Sequence, residues 1–257
     1  MLDHVITTSD EPIEPDQYRF VATDAWWLGS FGAHQHLTEH RLRTWIPARP
    51  EREWMLDREL TGRQRWLTGS AEEAEEDGFE LRDIAPVGVF CAPYGEFYRE
   101  PDGWCVEPAQ RRRGSWQVPT AEFLARLPRD PAAMRDRLLA DSPGRWASPF
   151  SSAVDALRTC LVPADLRSVL HSALTGLDGV HVEPEPIEID GRVCLVLVHD
   201  AGRTRTELRI DKADGQFAGE RDTLRMDSRC GLPVGALIGE TVVRTAVVAE
   251  LGEYPAR

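Results

Sequence analysis

The chain has 257 residues, 42% of them apolar and 28% charged, enough to bury one large core or two modest ones and too apolar for a disordered protein. Its 43 acidic against 30 basic side chains give a net charge of −13, which repels phosphate and anionic lipid and argues against a nucleic-acid partner despite the basic run Arg111-Arg112-Arg113. No stretch approaches the ~20 apolar residues that cross a bilayer, and residues 1–30 lack the order of a secretion signal.

Residues 1–5 read like the middle of a helix, with no capping residue ahead of them, so an upstream segment is expected. Residues 17–28 then alternate Tyr18, Phe20, Ala22, Trp26 and Leu28 on one face, the period of a strand. Residues 38–46 and 53–56 follow as strands, and 62–68 as a further short one. The acidic patch Glu72, Glu73, Glu75, Glu76 and Asp77 predicts one exposed helical turn or a loop. From 85 to 119 the chain is dense in Pro, Gly and aromatics without period, an irregular excursion of the kind that is functional or cross-linked.

Helices are expected from there to about residue 175. Thr120 can cap one over 120–127, and Asp130-Pro131 supplies an N-cap and a first-turn proline for another over 132–140. Phe150, Ala153, Val154, Leu157 and Leu161, and then Leu166, Val169, Leu170, Ala173 and Leu174, form two apolar helical stripes. The last third is a ladder of strand-length runs at 180–189, 192–199, 204–210 and 216–224, with Asp190-Gly191, Ala201-Gly202 and Asp214-Gly215 between them and a final run at 240–248.

Strands, excursion, helices and strands in that order predict an α+β fold without parallel βαβ units. The economical arrangement is one domain over 1–257, a curved antiparallel sheet or half-barrel wrapped around a helical insert. The strands are placed at about 17–68 and 180–250, the excursion at 85–119 and the helices at about 120–175. A two-domain split near residue 145 is the alternative.

Five cysteines, Cys91, Cys105, Cys160, Cys194 and Cys230, contain no C-x-x-C pair, so a zinc ribbon is not indicated. Cys91 and Cys105 flank the excursion, and a disulfide between them would contribute on the order of 3 kcal/mol in an oxidising compartment. Cys160 and Cys194 fit buried apolar positions better. His36-Leu37-Thr38-Glu39-His40 has the H-x-x-E-H order of inverted zinc peptidases, in which His36 and His40 would bind metal and Glu39 activate water. That chemistry needs a helix and a third ligand, for which Glu107 and Glu122 are the candidates. Strand alternation through His40, Leu42, Thr44 and Ile46 competes with it, and His34, His36 and His40 would then share a strand face. No G-x-S-x-G, P-loop or G-x-G-x-x-G occurs, and no cofactor is expected. Seven of the eight tryptophans precede residue 117, and Trp26, Trp27, Trp45 and Trp54 are the candidates for lining an apolar binding surface. Trp26 and Trp27, adjacent in one strand, must point to opposite faces.

Residues 114–120, Gly-Ser-Trp-Gln-Val-Pro-Thr, with 123–131, Phe-Leu-Ala-Arg-Leu-Pro-Arg-Asp-Pro, resemble an uncharacterised family of actinobacterial proteins. So do Thr44-Trp45-Ile46-Pro47, Pro163-Ala164-Asp165-Leu166-Arg167 and Gly215-Gln216-Phe217. Such proteins carry a cytoplasmic head, one spanning helix and an extracytoplasmic domain. The resemblance implies an anti-sigma-like or sensory role and a fold similar to lipoprotein carriers and periplasmic anti-sigma regulators. This sequence lacks the head and the spanning helix, so a membrane would be reached only through an upstream anchor. Three functions are therefore expected in turn: a non-catalytic extracytoplasmic sensor or interaction domain that receives a protein or an apolar ligand, a lipid or lipoprotein carrier, and a zinc hydrolase.

Overall fold

A computed structural model describes residues 6–81, 84–97, 113–142, 148–227 and 231–256. Its first strands are long. Strands β1 (Tyr18–Phe31) and β2 (His34–Pro47) pair antiparallel over their whole length, from Tyr18 opposite Pro47 to Phe31 opposite His34. Strand β3 (Glu53–Thr68) replaces the two short strands expected at 53–56 and 62–68. Gly62, at φ +80°, lies where the register slips between Thr38 and His40, so Thr61-Gly62-Arg63 oppose the single residue Glu39. The glycine is absorbed as a bulge rather than ending the strand.

Helix α1 (Ala71–Glu76) is the acidic turn, capped by Ser70, whose hydroxyl accepts from the Glu73 N–H. It is not wholly solvated, because Ala74 is fully buried. Inside the stretch expected to be irregular lies a further strand, β4 (Gly88–Pro93), paired to β3 from Glu53 opposite Pro93 to Arg58 opposite Gly88.

The helices follow as α2 (Ala121–Ala125), α3 (Pro131–Asp141), α4 (Pro149–Arg158) and α5 (Ala164–Thr175). Side chains of Thr120, Asp130 and Ser148 accept from the third residue onward, and proline opens α3 and α4. The α4 stripe stops short of Leu161 because Cys160 takes a left-handed φ of +57°. Strands β5 (Val180–Val182) and β6 (Ile187–Ile189) both pair with β7 (Arg192–Ala201), and β8 (Thr204–Asp211), β9 (Phe217–Leu224) and β10 (Leu237–Val248) complete the ladder. The result is an α+β fold with one open antiparallel sheet of 10 strands, ordered β4-β3-β2-β1-β10-β9-β8-β7-β5 with β6 off the path.

By internal contacts the chain forms two units. One comprises Met1–Asp10, Glu100–Ala201 and Glu207–Gly219; the other comprises Glu11–Arg99, Gly202–Thr206 and Glu220–Arg257. In the first unit Met134 and Leu138 of α3, Phe150 and Leu157 of α4, and Leu166, Leu170 and Leu174 of α5 are all buried, as are Cys194–Val198 of β7. Phe150 stacks on His199 at 4.8 Å. Helix α5 begins at a proline-capped end with no side-chain cap of its own. Asp10 supplies one: its carboxylate accepts from the Ala164 N–H at 2.7 Å and from the Arg167 guanidinium at 2.6 Å. Arg167 is buried and donates also to the carbonyls of Ser9, Val162 and Asp214.

In the second unit Tyr18, Phe20, Ala22, Trp45 and Val248 form a core cluster with Met55 and Leu251 packed against it. Phe20, Trp45 and Tyr254 meet edge-on at 5.1–5.6 Å, a favoured aromatic geometry.

Candidate functional site

The H-x-x-E-H segment lies in β2 and is extended, not helical. His36 and His40 share a face, but four residues of strand separate their backbones by roughly 13 Å, too far to hold one ion. Glu39 points to the other face, where it accepts from the Thr61 hydroxyl at 2.6 Å and from Arg63 at 3.0 Å. Among the described residues no group of three or more His, Cys, Asp or Glu is placed to hold a metal ion, and of the proposed third ligands Glu122 is on α2 while Glu107 lies outside the described residues. The segment thus lacks the helix that the motif's chemistry needs, and among the described residues no third ligand joins His36 and His40.

The histidines of β2 are core residues instead. His36 packs its ring on Trp66 at 4.8 Å and Phe79 at 5.1 Å and bonds Thr38 Oγ1 through Nδ1 at 2.9 Å. Burial lowers its pKa. His40 lies against Trp27 at 4.7 Å, and burial, with the charge of Arg58 second, lowers its pKa to about 4. His34 bonds Asp77 at 2.8 Å, tying β2 to the end of α1.

The tryptophans separate. Trp26 and Trp27 face opposite ways: Trp26 lies under the guanidinium groups of Arg65 at 4.1 Å and Arg63 at 5.3 Å, whereas Trp27 donates its indole N–H to Thr241. Trp45 is core and donates to the Glu253 carbonyl. Trp54, directly opposite Ala92 of β4, donates to the Pro50 carbonyl and lies so close to Gly95 that a Cβ there would come within 2.9 Å of its ring. The four do not converge on one surface. Cys91 is an exposed free thiol on β4, Cys160 and Cys194 are buried free thiols, and Cys105 and Cys230 lie outside the described residues.

What does converge was not legible as a site in the sequence. Strand β4 is the terminal strand of the sheet, and its six residues, Gly-Val-Phe-Cys-Ala-Pro, carry no charge. Three of the large exposed apolar side chains lie on it or beside it: Val87 at 52%, Val89 at 62% and Tyr94 at 59% exposure. At its Gly88 end a groove of about 470 Å³ is lined by Asp57–Leu60 of β3, Leu81, Val87 and Gly88. The charged residues of that lining are engaged, Asp57 with Tyr254 and Glu59 with Arg41, and Arg58 has partners as well. Leu60, Leu81 and Val87 are left as its walls. One signal in the sequence points here, the run 84–95, which carries no charged residue.

No helix among the described residues is long and apolar enough to cross a membrane. No protein-family model matches the chain, and no curated protein matches it. Among solved structures the chain is similar to the crystal structure of a DUF1329 family protein from Desulfovibrio piger ATCC 29098, at 9% sequence identity, over 93% of this chain and 88% of that one, with a TM-score of 0.20, a likeness too slight to carry an argument about fold or function.

Proposed function

We propose that this chain is a non-catalytic protein-interaction domain that works through the β4 end of its sheet. One observation carries the reading: the fold buries the β2 histidines, while the exposed apolar side chains of Val87, Val89 and Tyr94 gather on and beside a terminal strand without charge. Proteins ordinarily guard such an edge with charge, so its bareness marks a contact surface. The lipid-carrier alternative takes second place, because the groove beside β4 has three charged residues, Asp57, Arg58 and Glu59, in its lining.

The setting follows from the resemblance at 114–131 and 163–167: an extracytoplasmic domain of a membrane-anchored parent, serving envelope-stress or sigma-factor regulation. Cys91 reports on that setting directly. A membrane-impermeant maleimide added to intact cells should label this exposed thiol. Labelling that requires cell lysis would place the domain inside.

The interaction reading is tested by a photo-crosslinking residue at position 89 of the full-length protein, with position 139 as control, since Leu139 is 51% exposed on α3. Adducts from 89 and none from 139 are expected. Equal yields from both positions would remove the reading.

A further inference from the structure

We propose that residues 162–167 and the Asp214-Gly215 turn form a receptor for an extended peptide segment bearing an aspartate, filled by residues 7–10 of this chain as an exchangeable strap. A partner protein offering the same chemistry binds by displacing the strap. The site lies in the first unit and β4 in the second, so it goes beyond the interaction reading above and does not depend on it. Asp10 accepts from the Ala164 N–H through one carboxylate oxygen and from Arg167 through the other, at 2.7 and 2.6 Å. Ser9 donates its N–H to the Asp214 carbonyl at 3.0 Å, and its own carbonyl accepts from Arg167 at 2.6 Å. A Cβ on Gly215 would lie 2.8 Å from the Thr7 carbonyl, so the absence of a side chain there lets the strap come this close.

The strap and its receptor are built differently. None of residues 6–16 is buried, so the strap is held by a carboxylate and backbone bonds rather than by apolar side chains. Residues 11–16 that join it to β1 carry no helix or strand, and its release breaks neither. The receptor stands without it: Arg167 is 1% exposed, and its guanidinium also donates to the carbonyls of Val162 at 2.8 Å and Asp214 at 3.1 Å, which hold the fork in place. The first turn of α5 has no side-chain cap of its own, so its N–H groups and dipole add to the positive field. An emptied site would leave a guanidinium set among carbonyls with no counter-charge, which favours replacement of the strap by another carboxylate over an empty site. The two backbone bonds of Ser9 beside that carboxylate select an extended segment over a free acid.

The test is fluorescence anisotropy on the full chain with a labelled, capped Thr-Thr-Ser-Asp-Glu-Pro peptide, the sequence of residues 7–12. In the parent the tethered strap competes at high effective concentration. Asp10→Ala loosens the strap and leaves the receptor intact, so this variant should bind the peptide about tenfold tighter or more than the parent does. A peptide with Asn in place of Asp should lose that gain, and the Asp peptide should raise the urea midpoint that Asp10→Ala lowers. Asp10→Asn, which keeps an acceptor for Ala164 and Arg167, is the milder variant and carries the same expectation where Asp10→Ala does not fold. Equal binding by parent and variant, equal binding of the Asp and Asn peptides, or no binding to either variant overturns the exchangeable strap. Dimers of the parent on size exclusion that Asp10→Ala abolishes would show straps exchanged between copies and overturn displacement by a partner protein.

Discussion

At the scale of single residues the fold holds two histidines neutral. His171 of α5 is 2% exposed, neither ring nitrogen has a hydrogen-bond partner among the described residues, and burial, with the charge of Arg167 second, lowers its pKa to about 3. His40 is lowered to about 4. Both values lie below the ordinary 6.5, so the folded chain refuses protons that the unfolded chain accepts as pH falls. Stability is therefore unaffected at pH 7 and declines below pH 6.5, by about 1.4 kcal/mol per pH unit for each histidine. Urea midpoints at pH 7 and pH 5 should differ less in His171→Leu than in the parent; an unchanged difference would show that His171 is not responsible. Asp10 is the second such residue. Asp10→Ala removes both the cap of α5 and the carboxylate partner of a buried guanidinium, and a loss of about 3 kcal/mol in urea unfolding is expected.

At the scale of elements, two glycines with nearly the same backbone angle separate strain from space. Gly62 has φ +80° and open space for 4 Å around the position a Cβ would take, whereas Gly215 has φ +69° and a Cβ there would meet Thr8 Cγ2 at 2.6 Å and the Thr7 carbonyl at 2.8 Å. Gly62→Ala should cost about 1 kcal/mol, the left-handed penalty alone. Gly215→Ala should cost clearly more, because the backbone of residues 7–8 must move as well; equal midpoints for the two variants would contradict the close approach. The same contact explains two of the sequence's recognisable motifs. Residues Pro163–Arg167 and Gly215–Phe217 lie far apart in the chain and meet across residues 7–10, with Ser9 N–H donating to Asp214 and Arg167 bonding both. Element existence was largely readable, since the alternation at 17–28 and the strand-length run at 192–199 became β1 and β7 and the caps at Thr120 and Asp130 opened α2 and α3. Strand β4 was not, because its Pro and Gly neighbours read as loop and its pairing to β3 is a tertiary fact.

At the scale of the whole molecule, the charge of −13 sets what the chain avoids. Even with Arg111–Arg113, it should neither shift duplex DNA in a gel at moderate salt nor co-sediment with phosphatidylserine vesicles, and salt-dependent retention of either would contradict the repulsion argued from composition. The two ends of the strand order are not equivalent. At one end β7 is covered by two separate three-residue strands, β5 and β6, whereas at the other β4 is a regular, uncharged edge.

The sequence by itself determined the class of fold, the order of its elements and the sign of its charge. Each of these is local or additive: period-two alternation, capping residues and a count of ionised groups do not depend on what lies across the sheet. It misplaced the chemistry for the converse reason. The spacing of His36, Glu39 and His40 means one thing on a helix, where four residues make about one turn, and another on a strand, where they span roughly 13 Å and alternate faces. Which of the two holds was decided by the partners β1 and β3. Likewise the uncharged run of Val, Phe, Cys and Ala at 89–92 is a terminal strand only by virtue of its pairing to β3, and that position is a property to which no single segment of sequence testifies.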